Sequence, residues 1–259
     1  MNHDALFKRL LKNRSILCAF FHQFLPEAAR FVDFERLDYA DKERVTIDGK
    51  RRTGDLLIKT RFRGKNAGFL IHLEHQAQPD RDLARRMLEY FILDWRDFNL
   101  PVYPIAVLTH SGRSPCRTAP LLVTFPNKRV LEFDFDIVDL SRLDARAFVK
   151  LENAAALALA SRMKFEAKDR IGLTRDFFLS LSIIPLDRAE RELVAGFFSA
   201  YQRLNAQEAL QLQGELAIVE PYEVRERVMQ LTNPFIELIS FCLETVLRRG
   251  NKARWADRK

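Results

Sequence analysis

Two carboxylates and an amide have the types and spacing to do chemistry together: Asp55, Glu74 and Gln76. They lie on segments 54–62 and 67–76, which alternate as strands and flank the turn sequence Arg63-Gly64-Lys65-Asn66. With Gly64-Lys65 as a two-residue loop, Phe62 pairs with Ala67 and Asp55 falls directly opposite Glu74. A three-residue loop would instead put Asp55 opposite His75. Directly opposed residues share a face, with Cβ atoms ~4.5–5.5 Å apart. Gln76, two residues past Glu74, points to the same face. Leu56, Ile58, Phe62, Phe69, Ile71 and Leu73 fall on the other face and read as core. Opposed like charges are unfavourable, and a divalent cation offsets them. Mg2+ is the expected ion, with Mn2+ or Ca2+ as alternatives, held by Asp55, Glu74 and the backbone carbonyl of His75. Such an ion supplies charge at phosphorus and acidifies a water. The competing reading makes Asp55 a solvated strand-start residue and pairs Glu74 with Arg51, Arg52, Arg85 or Arg86. Against it, the polar cluster follows an apolar strand and precedes a helix, the edge where open sheets place ligand sites.

Residues around the trio are candidates for substrate contact. Arg86 and Tyr90, at i and i+4, share one helix face; Arg85 adjoins them. Arg86 has an alternative as an ion-pair partner of Glu89 or Asp82. His72 lies on the face of Glu74, as a phosphate contact or a half-buried strand residue. The His75 side chain points to the opposite face, into core. Lys59 shares the face of Asp55 but sits four residues, ~13 Å, along the strand. Asp4 contributes from the first helix or simply supplies helix N-terminal charge. No glycine-rich phosphate loop and no Ser/His/Asp triad is evident.

The elements that must position these groups follow from periodicity. Residues 4–24 predict a helix that Pro26 ends. A short strand is expected at 44–47, then the Asp48-Gly49 turn and the hairpin. Pro79-Asp80 opens a helix to Phe98, with an apolar stripe of Leu83, Met87, Leu88, Phe91, Ile92, Trp95 and Phe98. Val102–Thr109 is apolar on both faces, as a covered parallel strand would be, although it contains Pro104. Leu121–Phe125 and Val130–Val138 predict a hairpin. Beyond residue 144 the signals are helical: 146–163, 169–183, 187–212 and 234–248. The order predicts an α/β fold, an α-β-β-β-α-β core with a mixed sheet over residues 1–142, followed by a helical region over 143–259.

Several motifs are similar to those of one known family. These are Gly54-Asp55-Leu56-Leu57, Phe69-Leu70-Ile71-His72-Leu73-Glu74-His75-Gln76, Arg85-Arg86 with Tyr90, His3-Asp4 with Phe7-Lys8, Leu25-Pro26 and Leu100-Pro101 with Pro104. Across residues 3–110 the chain resembles the recombination-promoting nuclease (Rpn) family, transposase-like members of the PD-(D/E)XK superfamily. Leu231-Thr232-Asn233-Pro234 is similar to family C-terminal regions. The resemblance implies a restriction-endonuclease-like fold and a metal-dependent endonuclease acting on DNA, linked to recombination and mobile elements. It also implies Asp55 as the motif aspartate and Glu74 as the second acidic ligand. Gln76 stands where the superfamily usually has lysine. Glutamine can orient a water but carries no charge and cannot act as a base. That departure sustains an alternative: a nuclease-fold protein that binds DNA or a partner without cutting.

Composition constrains the setting. The net charge is +7, and five of those charges lie in residues 248–259, where Arg248, Arg249, Lys252, Arg254, Arg258 and Lys259 outnumber Asp257. The body is therefore nearly neutral, and charge alone does not point to DNA. Cys18, Cys116 and Cys242 are far apart and odd in number, so a reducing cytoplasm fits better than a disulfide or zinc scaffold. The N-terminus lacks the apolar stretch of a secretory signal, and no run reaches the ~18–20 residues of a membrane span. The segment from Glu237 to Leu247 is apolar enough on one face to pack on its own core or on a second copy in a homo-oligomer.

Overall fold

The structure is a computed structural model and describes residues 3–40, 44–45, 51–52, 56–110 and 121–232. The chain divides into two compact units, 1–143 with 162–164, and 144–161 with 165–259.

The first unit opens with three helices, α1 (His3–Leu11), α2 (Arg14–Phe24) and α3 (Pro26–Phe31). The single helix expected over 4–24 is broken because Asn13 caps a new one: its side chain accepts from the Ile16 amide at 3.0 Å. Pro26 starts α3 as well as following α2, since its fixed φ suits a first helical turn. Next come β1 (Asp38–Ala40), β2 (Arg44–Val45), β3 (Arg51–Arg52), β4 (Leu56–Arg61) and β5 (Gly68–Gln76). Helix α4 (Leu83–Phe98) leads to β6 (Val102–Leu108), β7 (Leu121–Phe125), β8 (Lys128–Phe133) and β9 (Asp136–Asp139).

Five strands form one mixed sheet in the order β1-β4-β5-β6-β9. The pairs β1–β4 and β4–β5 are antiparallel; β5–β6 and β6–β9 are parallel. This is the predicted α/β class, with β1, β4 and β5 antiparallel, α4 as crossover and β6 returning parallel. Leu56 pairs with Leu73 and Leu57 with His72, and the Phe62 amide bonds the Ala67 carbonyl at 3.0 Å. That register is the one expected from a short Gly64-Lys65 turn, and Gly64 takes φ 75° there. Pro104 is tolerated because β9 pairs only with Ile105–Leu108, so at Pro104 the strand has one partner.

Three departures have local causes. The expected strand over 130–138 is two: β8 closes a hairpin with β7, and β9, after Asp134-Phe135, joins the main sheet beside β6. β1, unpredicted, is too short to show alternation. The inner face of α4 is rotated from the predicted stripe. Leu83, Ala84, Met87, Tyr90 and Asp94 are buried, whereas Ile92 and Trp95 are about half exposed. The strand face that α4 meets carries His72 and Glu74, so polar partners turn inward. Its remaining apolar side, Leu88 and Phe91, packs against the cluster of Leu83, Met87, Ala106, Leu108 and Phe133, with Phe91 edge-on to Phe133.

The second unit is helical: α5 (Ala145–Phe148), α6 (Ala154–Ala160), α7 (Arg170–Ile183), α8 (Arg188–Tyr201) and α9 (Ala206–Ala217), with 222–232 also helical. The expected helix over 187–212 is two because Asn205 starts α9 with a capping box, as Asp187 starts α8. Helix α6 is wholly buried, and Phe177 stacks on Phe198 in the core. The helix expected over 234–248 lies outside the described residues. Among the described residues no helix is long and apolar enough to cross a membrane.

Candidate active site

Strand β5 lies between two layers, and its alternation divides them. Odd residues face the N-terminal helices: Phe69 meets Phe31, and His75 stacks on Phe7 at 4.4 Å. Even residues face α4. There Arg86 meets Gln76 and Glu74, while Tyr90 and Asp94, each a further turn along α4, meet His72.

The solvent-proximal end of this seam holds the candidate site. Arg86 Nη2 donates to Glu74 Oε1 at 3.1 Å and to Gln76 Oε1 at 2.5 Å. Arg86 Nη1 pairs with Asp80 Oδ2. Asp80 sits in the loop between β5 and α4, and its other oxygen accepts from the Asp82 amide at 2.8 Å. The Gln76 amide nitrogen donates to the Gln78 carbonyl. The Glu74 side chain is only 10% exposed and that of Arg86 15%. The second oxygen, Glu74 Oε2, is buried and has no hydrogen-bond partner among the described residues.

The interior end of the seam corrects two expectations. His72 and Tyr90, expected as substrate contacts, are 1% and 2% exposed. His72 Nδ1 lies 2.7 Å from Asp94 Oδ2, and its ring stacks on Tyr90 at 5.3 Å. A phosphate has no route to either; they fasten α4 to β5. Sequence spacing gave their face but not what covers it.

Asp4 is also relocated. It pairs with His75 Nδ1 at 2.8 Å, while His75 Nε2 meets Thr109 Oγ1 at 2.9 Å. The hydrogen bond from His75 holds the Asp4 carboxyl below its ordinary pKa, against an opposing push from burial. Asp4 thus sits on the face of β5 opposite Glu74, and the His75 ring is packed as expected. The His75 carbonyl has a different direction. Gln76 accepts from the Thr109 amide and the Leu70 amide donates to the Pro101 carbonyl, so even residues bond toward β6. The carbonyl of odd-numbered His75 therefore turns to the β4 side.

Lys59 is exposed and pairs with Leu70, four residues before Glu74, so it is ~13 Å from the cluster along the strand. It lines a small cleft of about 290 Å³ with Arg36, Asp38 and Arg61 instead. Arg85 is exposed beside Arg86. Asp55 lies outside the described residues. The structure brings together Glu74, Gln76 and Arg86, and adds Asp80 and Asp94, to which the sequence patterns did not point. Asp94 follows Tyr90 at helical spacing, a legible signal; Asp80 is in a loop, where no periodicity marks it.

Fold and cluster define a class: an α/β protein with a mixed sheet of restriction-endonuclease-like order and a carboxylate, amide and guanidinium gathered at one strand end. A family model described as "Putative transposase, YhgA-like" matches residues 1–191. The chain belongs to that family, in keeping with the motifs that resemble Rpn proteins. A curated relative, Recombination-promoting nuclease RpnC of Escherichia coli (strain K12), is 32% identical over 92 residues, 35% of this chain. The match spans 30% of that relative's length. No solved structure matches the chain.

Proposed function

We propose that the protein is a divalent-metal-dependent DNA endonuclease that hydrolyses phosphodiester bonds in a reducing cytoplasm. The observation that carries this reading is Glu74 Oε2, a buried carboxylate oxygen without a donor among the described residues. Leaving such an atom unpaired is costly, and a hard cation relieves the cost. The donor types fit Mg2+, Mn2+ or Ca2+, which take carboxylate and carbonyl oxygens. Asp55, Glu74 and the His75 carbonyl are the groups that would hold the ion. When bound, it supplies charge stabilisation at phosphorus and an acidified water. The chain's own residues do the rest. Gln76 orients the attacking water through its amide and removes no proton. Arg86, on leaving Glu74, and exposed Arg85 bind phosphate oxygens. The name of the curated relative, a recombination-promoting nuclease, supports the reaction class and DNA as substrate.

The test is a nicking assay on supercoiled plasmid with Mg2+, Mn2+ or Ca2+, run beside Asp55→Ala and Glu74→Ala. Nicked product should form in Mg2+ or Mn2+ and be lost in both variants. Equal cleavage by the variants would sink the assignment. A second reading, a nuclease-fold module that binds DNA or a partner without cutting, is favoured by Arg86 already neutralising Glu74 while Gln76 replaces lysine. DNA retention without nicking in any metal would select it.

A further inference from the structure

We infer that Arg86 is a built-in counter-ion that competes with a divalent cation for Glu74, and that Asp80 holds it in reserve. The inference rests on the metal reading above and deepens it.

Among the described residues, one guanidinium serves Glu74, Gln76 and Asp80. Its Nη2 is shared between Glu74 Oε1 and Gln76 Oε1, and its Nη1 is committed to Asp80. A carboxylate as buried as Glu74 needs a positive neighbour, and Arg86 provides one without metal. A cation on the remaining oxygen of the same carboxylate would stand within a few ångströms of the guanidinium. Two like charges at that range in a partly desolvated site repel strongly. The two occupants of Glu74 are therefore antagonists, and binding one weakens the other by the same factor.

Asp80 decides where Arg86 goes when displaced. It is fixed by the Asp82 amide ahead of α4 and grips the other nitrogen of the fork. Arg86 can surrender Glu74 and Gln76 yet keep one carboxylate. Its freed Nη2 and the released Gln76 carbonyl oxygen then become available at the same moment, for phosphate and water respectively. The arrangement makes a site whose Glu74 carboxylate is neutralised by Arg86 in the absence of metal and which the ion arms. Asp80 is on this argument a positioning residue, acting only through Arg86.

The two residues give opposite signs in a binding measurement that needs no turnover. The full chain is titrated with Mn2+, and unbound Mn2+ is read by its electron paramagnetic resonance signal. Arg86→Gln should tighten Mn2+ binding by about tenfold, inside the range usual for coupled sites. Asp80→Asn should weaken it, because Arg86 then commits to Glu74 and a nearby negative charge is gone. Wild-type binding with Arg86→Gln unchanged or weaker overturns the competition while leaving the metal reading intact. No wild-type binding at millimolar Mn2+ removes both. Should Arg86→Gln fail to fold by circular dichroism, Asp80→Asn decides: binding equal to or tighter than wild type overturns the inference.

Discussion

A carboxylate buried at a strand end behaves according to its nearest positive charge, and for Glu74 that is, among the described residues, Arg86. Opposed carboxylates inferred from the sequence imply repulsion in the metal-free protein; Arg86 supplies the neutralisation. Divalent metal should raise the melting temperature by mass action, since the folded site binds it and the unfolded chain does not. Glu74→Gln should abolish most of that rise, as measured by calorimetry with and without 5–10 mM Mg2+ (about that range saturates weak sites). Deeper in the same seam, Asp94 and His72 are nearly inaccessible and joined at 2.7 Å. Asp94→Ala removes the partner of a buried hydrogen bond and the packing around it, so it should cost about 1–3 kcal/mol in urea unfolding. An exposed-residue cost, below about 0.5 kcal/mol, would contradict that burial. Glu74, Gln76 and Arg86 were legible because alternation and the helical repeat set faces. His72 and Tyr90 were misread because neither pattern says which face a helix will cover.

Helix α1 is pinned to the sheet by the Asp4–His75–Thr109 chain and the Phe7–His75 stack. Asp4 has a lowered folded pKa, so its contribution is fully present above the unfolded carboxylate value, near 3.9, and is lost as pH falls through the folded one. Asp4→Asn should therefore lower the melting temperature at pH 6 and converge on wild type in strong acid. A gap that persists once the carboxyl is protonated in the folded protein as well would point to a cause other than ionisation. A second element-level prediction concerns Asn99, which ends α4 at φ 50°. Asn99→Ala should cost about 1 kcal/mol, because the left-handed region penalises a plain Cβ. The longer helices and strands were readable from period, whereas short α3 and β1, the helix over 222–232 and most element ends were not. Asn13 and Asn205 break long apolar repeats through side-chain caps that leave the repeat itself intact. The separation of β9 from β8 depends on pairing with β6, a partner distant in the chain.

For the molecule as a whole, most of the net charge lies outside the described residues: five of the seven net positive charges fall in residues 248–259. Deleting that segment should weaken DNA binding across sequences. It should also flatten the salt dependence, by about 0.9 in the log–log slope for every phosphate that is no longer neutralised. Cleavage at low salt should survive, since no proposed ligand lies there. An unchanged slope would assign phosphate binding to Arg81 and Arg85, both exposed, with Arg86. The same deletion has a spectroscopic use. The chain has two tryptophans, Trp95 and Trp255, so the shortened protein carries one, which excitation at the red edge of the indole band selects over tyrosine. Trp95 lies on the outer side of the helix that carries Arg86 and is 55% exposed. Its emission should already be red-shifted in the folded state and open to iodide quenching. Unfolding will barely move that colour, whereas a macromolecule laid across α4 will shield the indole. The helix thus reports, by light, whether a bound partner covers its outer side.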